Sequence, residues 1–303
     1  MESKQASGKT MYMWSLKQCA NGNPKLAQAM AHGAGFRGVV IKAWDGAYEY
    51  RPNKQLLPDF VAAFKEIGIE VYLWGYNYGT WVDRGGNFRS QALAEARVTV
   101  RMVEKYQPLG IWNDAEVQYK RPRSDRNARI YQAHLLQELG ADYPIALSSY
   151  RYPKLHPEFP FSEFMKGAGT YHAQQMYWMG DNRLDGPEKQ LARSINELRQ
   201  IKVAPFIPVG VAAAEHGWAP TNQQLQNFMN ACVNQDCLGF SFWSWQHAES
   251  EGYWQTIANF DWPNGGTTPP PPPPPPPPPV TLETLDARVT DLEEEARGHG
   301  WDV

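Results

Sequence analysis

The sequence is short of cysteine. Cys19, Cys232 and Cys237 are the only three in 303 residues. An odd number without framework spacing excludes a disulfide scaffold and leaves them as small apolar residues. No further ligands stand at zinc spacing, so no metal is expected. P-loop, H-E-x-x-H and G-x-S-x-G motifs are missing, and no cofactor is expected. Long apolar runs are missing too, which excludes membrane insertion, and no signal-peptide core follows the polar residues 1–9. The chain is therefore expected to be made in the cytoplasm and to act outside the cell only as part of a virion or secreted assembly. Charge of one sign is also scarce: the net charge is −3. Residues 280–303 hold seven acids against two arginines, so the rest carries +2. A nearly neutral body gives no electrostatic reason for nucleic acid.

Aromatics are plentiful, with 12 Trp and 15 Tyr. Such rings stack on the apolar faces of sugars, and without a basic stripe a glycan is the favoured partner. The apolar pattern alternates eight times between short strands and longer helices. Strands are expected over 10–16, 38–44, 70–76, 110–117, 144–150, 173–178, 205–209 and 238–245, mostly non-alternating, as in a sheet covered on both faces. Helical spacing runs over 24–32, 57–67, 88–106, 124–139, 187–201, 221–234 and 252–259, with Asn23, Ser124 and Thr221 as caps. The fifth crossover, 153–170, is irregular. Eight strand–helix pairs in about 250 residues are the arithmetic of an α/β fold of the (β/α)₈ barrel type, here over 10–262. An open doubly wound sheet fits less well, because the first turn (17–23) lacks the glycine fingerprint.

A linker over 263–279 includes eleven consecutive prolines from Pro269 to Pro279, a stiff polyproline II rod. Beyond it Leu282, Leu285, Val289, Leu292 and Ala296 repeat at 3-4-3-4 spacing. This is a coiled-coil seam over 280–303, too short to stand alone, so it self-associates or docks on a larger particle. A phage tail or contractile-injection component would have this build.

Barrel chemistry sits at the C-terminal strand ends. Those ends supply Trp14, Asp45, Trp74, Tyr76, Asn77, Tyr150, Gln174, Trp178, Trp243 and Trp245 as candidate glycan-binding residues. Asp114 and Glu116 stand two apart on the fourth strand and point to the same side. Two carboxylates among aromatics cannot both ionise freely, which gives an acid beside a charged helper, the pair that glycoside hydrolysis needs. His247 with Glu249, and His216 with Glu215, are lesser candidates.

Asn113-Asp114-Ala115-Glu116 resembles the D-x-E signature shared by family 25 lysozymes and family 18 chitinase-like glycoside hydrolases. The strand Val40-Ile41-Lys42-Ala43-Trp44-Asp45-Gly46 is similar to the I-K-A-T-E-G strand of the lysozymes. Met176-Tyr177 and Trp243 are similar to residues of the chitinase-like barrels. The resemblance implies a retaining hydrolase of N-acetylated cell-wall glycan, peptidoglycan above all. Glu116 would be the proton donor, Asp114 would steady an N-acetyl group or the developing positive charge, and Tyr177 would position that group. Asp45 or Asp181 would add a carboxylate. The chain departs from D-x-x-D-x-D-x-E at Leu109 and Trp112, and has Trp14 and Ser15 where the lysozymes place a first-strand aspartate. A binding barrel that holds glycan without cutting it is the alternative.

Overall fold

The computed structural model describes residues 6–79, 81–84 and 87–263. The proline run and the heptad segment expected over 269–303 lie outside the described residues. Eight parallel strands stand in the ring order seven, eight, one, two, three, four, five, six: Gly8–Met13, Gly38–Asp45, Glu70–Asn77, Gly110–Ala115, Ile145–Ser148, Thr170–His172, Val209–Val211 and Gly239–Trp243 in chain order. Parallel bridges from His172 to Phe206 and from Gln175 to Val209 join the sixth strand to the seventh. The sheet is thereby a closed barrel and not an open doubly wound sheet.

Closure explains where the strands differ from expectation. The sixth was expected at 173–178 and the seventh at 205–209. Regular ladder survives only at Thr170–His172 and Val209–Val211, while 173–176 stays extended and divides its bonds between both neighbours. Gln175 N–H donates to Ser149 O (2.9 Å), and Met176 N–H donates to Val209 O (2.7 Å).

The helices form where the apolar spacing and caps place them. Asn23 accepts from Lys25 N–H (3.0 Å) and Leu26 N–H (3.1 Å) ahead of Pro24–Gly33. Helix Leu57–Glu66 buries Leu57, Phe60, Val61 and Phe64 on one face. Thr221 and Gln224 make a reciprocal capping box for Asn222–Asn234. The helix expected from 88 begins instead at Ala92, because Asn87–Ser90 pairs with Trp81–Arg84 as a hairpin. Ser124 is the first helical residue and not the cap; its hydroxyl donates to Arg121 O (2.6 Å). The fifth crossover holds only a 3₁₀ turn (Pro153–Leu155) and one helical turn (Phe161–Phe164). The last is two short helices, Trp245–Ser250 and Trp254–Ala258. All three cysteines are free and buried.

Side-chain alternation divides the core in two. Met11, Val39, Ile41, Val71, Leu73, Ile111 and Leu147 face outward to the helices. Tyr12, Val40, Tyr72, Trp74, Trp112, Ala146, Tyr171 and Val209 fill the barrel. At the bottom the Lys9 ammonium donates to Ala258 O (3.0 Å) and Phe260 O (2.7 Å), fastening the last helix under the first strand.

The second strand breaks this alternation once. Its register against the third shifts between Lys42 and Trp44, leaving Ala43 as an extra residue. Lys42 points inward, and Trp44 turns outward to pack over Gly75, where a Cβ would overlap the indole. Asp45 is thereby returned to the inner side, at the mouth.

Candidate active site

The fourth strand, expected to 117, ends at Ala115, so Asp114 is its last inward residue and Glu116 stands just beyond its end; both face the mouth. Gln175, from the stretch that follows the sixth strand two places round the barrel, ties them together: its side-chain amide donates to Asp114 Oδ1 (3.0 Å) and to Glu116 Oε1 (2.8 Å). Asp114 is 8% exposed, and Glu116, one turn of the pleat higher, is half-buried. Burial pushes the Asp114 carboxyl well above the usual carboxylate range; the Glu116 charge adds to this, Lys42 opposes it, and a hydrogen bond to Glu116 and the Asp45 charge add further. Burial thus favours the neutral form of the buried member.

Four tyrosines surround the pair. The Tyr177 hydroxyl is raised by burial, then by Tyr12, Asp114 and Glu116. Tyr76 is raised by burial, Glu116 and Asp114, and its hydroxyl donates to Gln118 Oε1 (2.6 Å). Burial and the Glu116 charge push Tyr150 up to about 12, and the Lys120 ammonium lies 4.3 Å from its ring centre. Tyr12 lies beneath, facing Asp114. All four hydroxyls therefore remain proton donors around a site that gathers negative charge.

On the opposite side Trp14, 39% exposed, stacks on Trp243 with ring centres 6.0 Å apart. The Trp243 indole N–H donates to Glu215 Oε1 (3.3 Å). Asp45 accepts from the Tyr78 hydroxyl (3.4 Å) and pairs with the Lys42 ammonium (3.3 Å). Behind that loop, buried Glu95 accepts from Gly79 N–H (3.0 and 3.1 Å). Burial pushes its carboxyl up to about 7.

The structure brings Asp114, Glu116, Tyr177, Tyr76, Tyr150, Asp45, Trp14 and Trp243 to the mouth. Trp74 is 1% exposed and forms the floor, its indole N–H donating to Met13 O (3.3 Å). Four candidates stand elsewhere. Asn77 points outward and accepts from the Trp44 indole (3.2 Å). Gln174 is buried on the outer face, because inward positions on this stretch are Tyr171, Ala173, Gln175 and Tyr177. Trp178 packs on Phe228 (5.3 Å) and Trp245 on Trp254 (4.5 Å), both beneath helices where no sugar reaches. Asp181 is held by Arg183 (2.7 Å), which keeps it well below the usual range. Glu249 accepts from Trp245 Nε1 (2.9 Å) while His247 Nδ1 meets Ser244 Oγ (2.9 Å), so those two do not pair.

Sequence reasoning passed over Gln175 and Lys42. Counting alternate residues back from Tyr177 gives Gln175, and a lone lysine in the apolar run Val-Val-Ile-Lys-Ala-Trp was the mark of Lys42. Among the described residues no group of three acidic, histidine or cysteine side chains could hold a metal ion, and no helix is long and apolar enough to cross a membrane.

No protein-family model matches the chain, and no curated protein matches it in sequence. Solved structures do. A family GH18 chitinase from Cycas revoluta, in complex with allosamidin, aligns with TM-score 0.58 and 10% identity over 84% of this chain and 99% of its own. A class V chitinase from Nicotiana tobaccum aligns with TM-score 0.60 and 9% identity over 84% and 98%. The spore cortex-lytic enzyme SleL of Bacillus megaterium aligns with TM-score 0.55 and 10% identity over 86% and 76%. At such identities the likeness is one of fold: the chain is an α/β barrel similar to those of chitinases and a cortex-lytic enzyme.

Proposed function

We propose that the barrel is a retaining glycoside hydrolase acting on N-acetylated cell-wall glycan, with peptidoglycan as its substrate. The single observation that carries this reading is the Gln175 amide bridging Asp114 and Glu116. It fixes two carboxyls in one orientation beneath an open aromatic rim. The structural neighbours, chitinases and a spore cortex-lytic enzyme, support the same class of substrate.

The roles follow from depth. Glu116, at the rim, reaches a glycosidic oxygen and protonates it as the bond breaks. Asp114, below, is too deep for the leaving group and instead faces the cleaved sugar's own substituent. As an anion it orients an N-acetyl N–H or offsets positive charge at the anomeric carbon. The Tyr177 hydroxyl donates to the same substituent from the stretch that continues the sixth strand, two places round the barrel. Trp243, with Trp14 beside it, provides the apolar face against which that sugar lies. Attachment through 280–303 to a larger assembly, and action outside the cell, belong to this proposal on the strength of the proline and heptad patterns alone.

The test is reducing-end release and loss of turbidity from purified cell walls, with chitooligosaccharide as a simpler substrate. Glu116→Gln lowers kcat by about 10²–10⁴-fold, the usual worth of a general acid. Unchanged turnover in this variant removes Glu116 from the role. A second reading, a barrel that binds glycan without cutting it, is favoured by Trp112, which fills the floor beneath Asp114 where a further acid would stand. Sedimentation with cell walls without any released fragment would select it.

A further inference from the structure

Lys42 has no part in the roles above, yet it is the cation built into the floor of the site. It is 7% exposed in the middle of an apolar strand. Its ammonium lies 4.5 Å from the Tyr50 ring centre and 4.7 Å from that of Trp74. Two aromatic faces thus fix the end of the chain as well as its stem. The one carboxylate paired with it, Asp45, is there because the extra residue at Ala43 returns Asp45 to the inner side. An ion pair with one partner buried and the other more than a third exposed is a poor source of stability, since desolvation and solvent screening consume most of the attraction. A strand irregularity, two rings and a pair converging on one ammonium beside Asp114 therefore call for a role in the site.

The charges around Asp114 define that role. Glu116 and Asp45 both disfavour its anion, and Lys42 opposes them. If Glu116 is to arrive at a glycosidic oxygen protonated, the charge of the pair stands on Asp114, in the buried position. There, only a cation within the barrel can offset it at low cost.

Resting on the glycosidase reading, we propose that Lys42 is a positioning residue whose ammonium is the countercharge that holds Asp114 as the anion of the pair while Glu116 carries the proton. The groups facing the ammonium are Asp45 and Tyr50 from the second strand and its loop and Asp114 from the fourth. Tyr12 and Tyr76 face Asp114 as neutral donors.

The experiment uses the full chain as wild type, Lys42→Met and Lys42→Arg, with two readouts. The first is the pH profile of chitotetraose hydrolysis. The second is a carboxyl ¹³C NMR titration, in which the Asp114 resonance is identified by its loss in Asp114→Asn. Lys42→Met is expected to lower kcat about 100-fold, to change KM by less than about threefold, and to move the basic limb and the Asp114 titration up by about one pH unit. Lys42→Arg keeps the charge and should retain at least about a tenth of the wild-type rate. A folded Lys42→Met in which Asp114 titrates as in the wild type overturns the proposal. Should that variant fail to fold, Lys42→Gln takes its place under the same two readouts, and an unmoved Asp114 titration overturns the proposal. A wild-type chain that cleaves no glycan sinks the glycosidase reading, while the NMR titration still judges Lys42 separately.

Discussion

The lower barrel and its mouth are built from the same strands, two residues apart, and obey opposite rules. Below, Tyr12, Tyr72, Trp74, Trp112 and Tyr171 interlock edge to face, as at Tyr12 and Trp112 (5.4 Å) and Trp112 and Tyr171 (6.1 Å). Above, Asp114, Gln175 and Asp45 occupy the next inward positions, and with Lys42 they make charged contacts where the floor makes ring contacts alone. On the fourth strand the change falls between Trp112 and Asp114. Bulk below makes a rigid, dry floor, and that dryness raises the Asp114 carboxyl above it. The difference teaches that the aromatic filling is part of the electrostatics of the mouth.

The sharpest way to break this contrast is Trp112→Ala. Truncating a fully buried tryptophan costs about 3–5 kcal/mol of stability by denaturant unfolding. In whatever folded fraction remains, water beneath Asp114 should bring its titration down toward the ordinary range; an unchanged titration would separate floor from mouth. Next in size is acid. His172, buried beside Phe206 with ring centres 4.5 Å apart, is pushed down by burial to about 4 from about 6.5. The unfolded chain therefore binds more protons between those values, so His172's contribution is complete above pH 6.5 and is lost as pH falls through about 4. The loss is on the order of 3 kcal/mol. His172→Phe should flatten the stability profile between pH 4 and 6.5, and a profile no flatter than wild type would contradict the assignment. The smallest effect tests the mouth alone: Gln175→Leu removes two charge-assisted hydrogen bonds and should lower kcat by about 10–100-fold, leaving the melting temperature within a few degrees. A melting temperature lowered as far as in Trp112→Ala would place Gln175 with the floor.

Much of the barrel was legible because its first four strands are continuous apolar runs with capped helices between them. The sixth and seventh were blurred, since ring closure replaces their ladder by single bridges that leave no periodic signal. Asp114 and Glu116 were legible from spacing alone. Gln174 was favoured over Gln175 because two adjacent glutamines give no phase by themselves, while Tyr177, two residues further on, supplies it. Trp178 and Trp245 share the composition of rim residues but fall on the helix-facing side, and composition carries no facing. Lys42 was passed over because a search for acids and aromatics does not register a cation.

The extra residue at Ala43 has a consequence for how this site is lost or gained. Deleting Ala43 would restore the strand's simple two-residue rhythm and still leave Lys42 inward, Trp44 outward and Asp45 inward, whereas straightening the strand with Ala43 kept would turn Asp45 behind the barrel and leave Lys42 without its anion. In a lineage of such barrels the pair is therefore lost when the strand straightens around its full set of residues, a change that alters no acidic residue and leaves no gap for a comparison of sequences column by column to see.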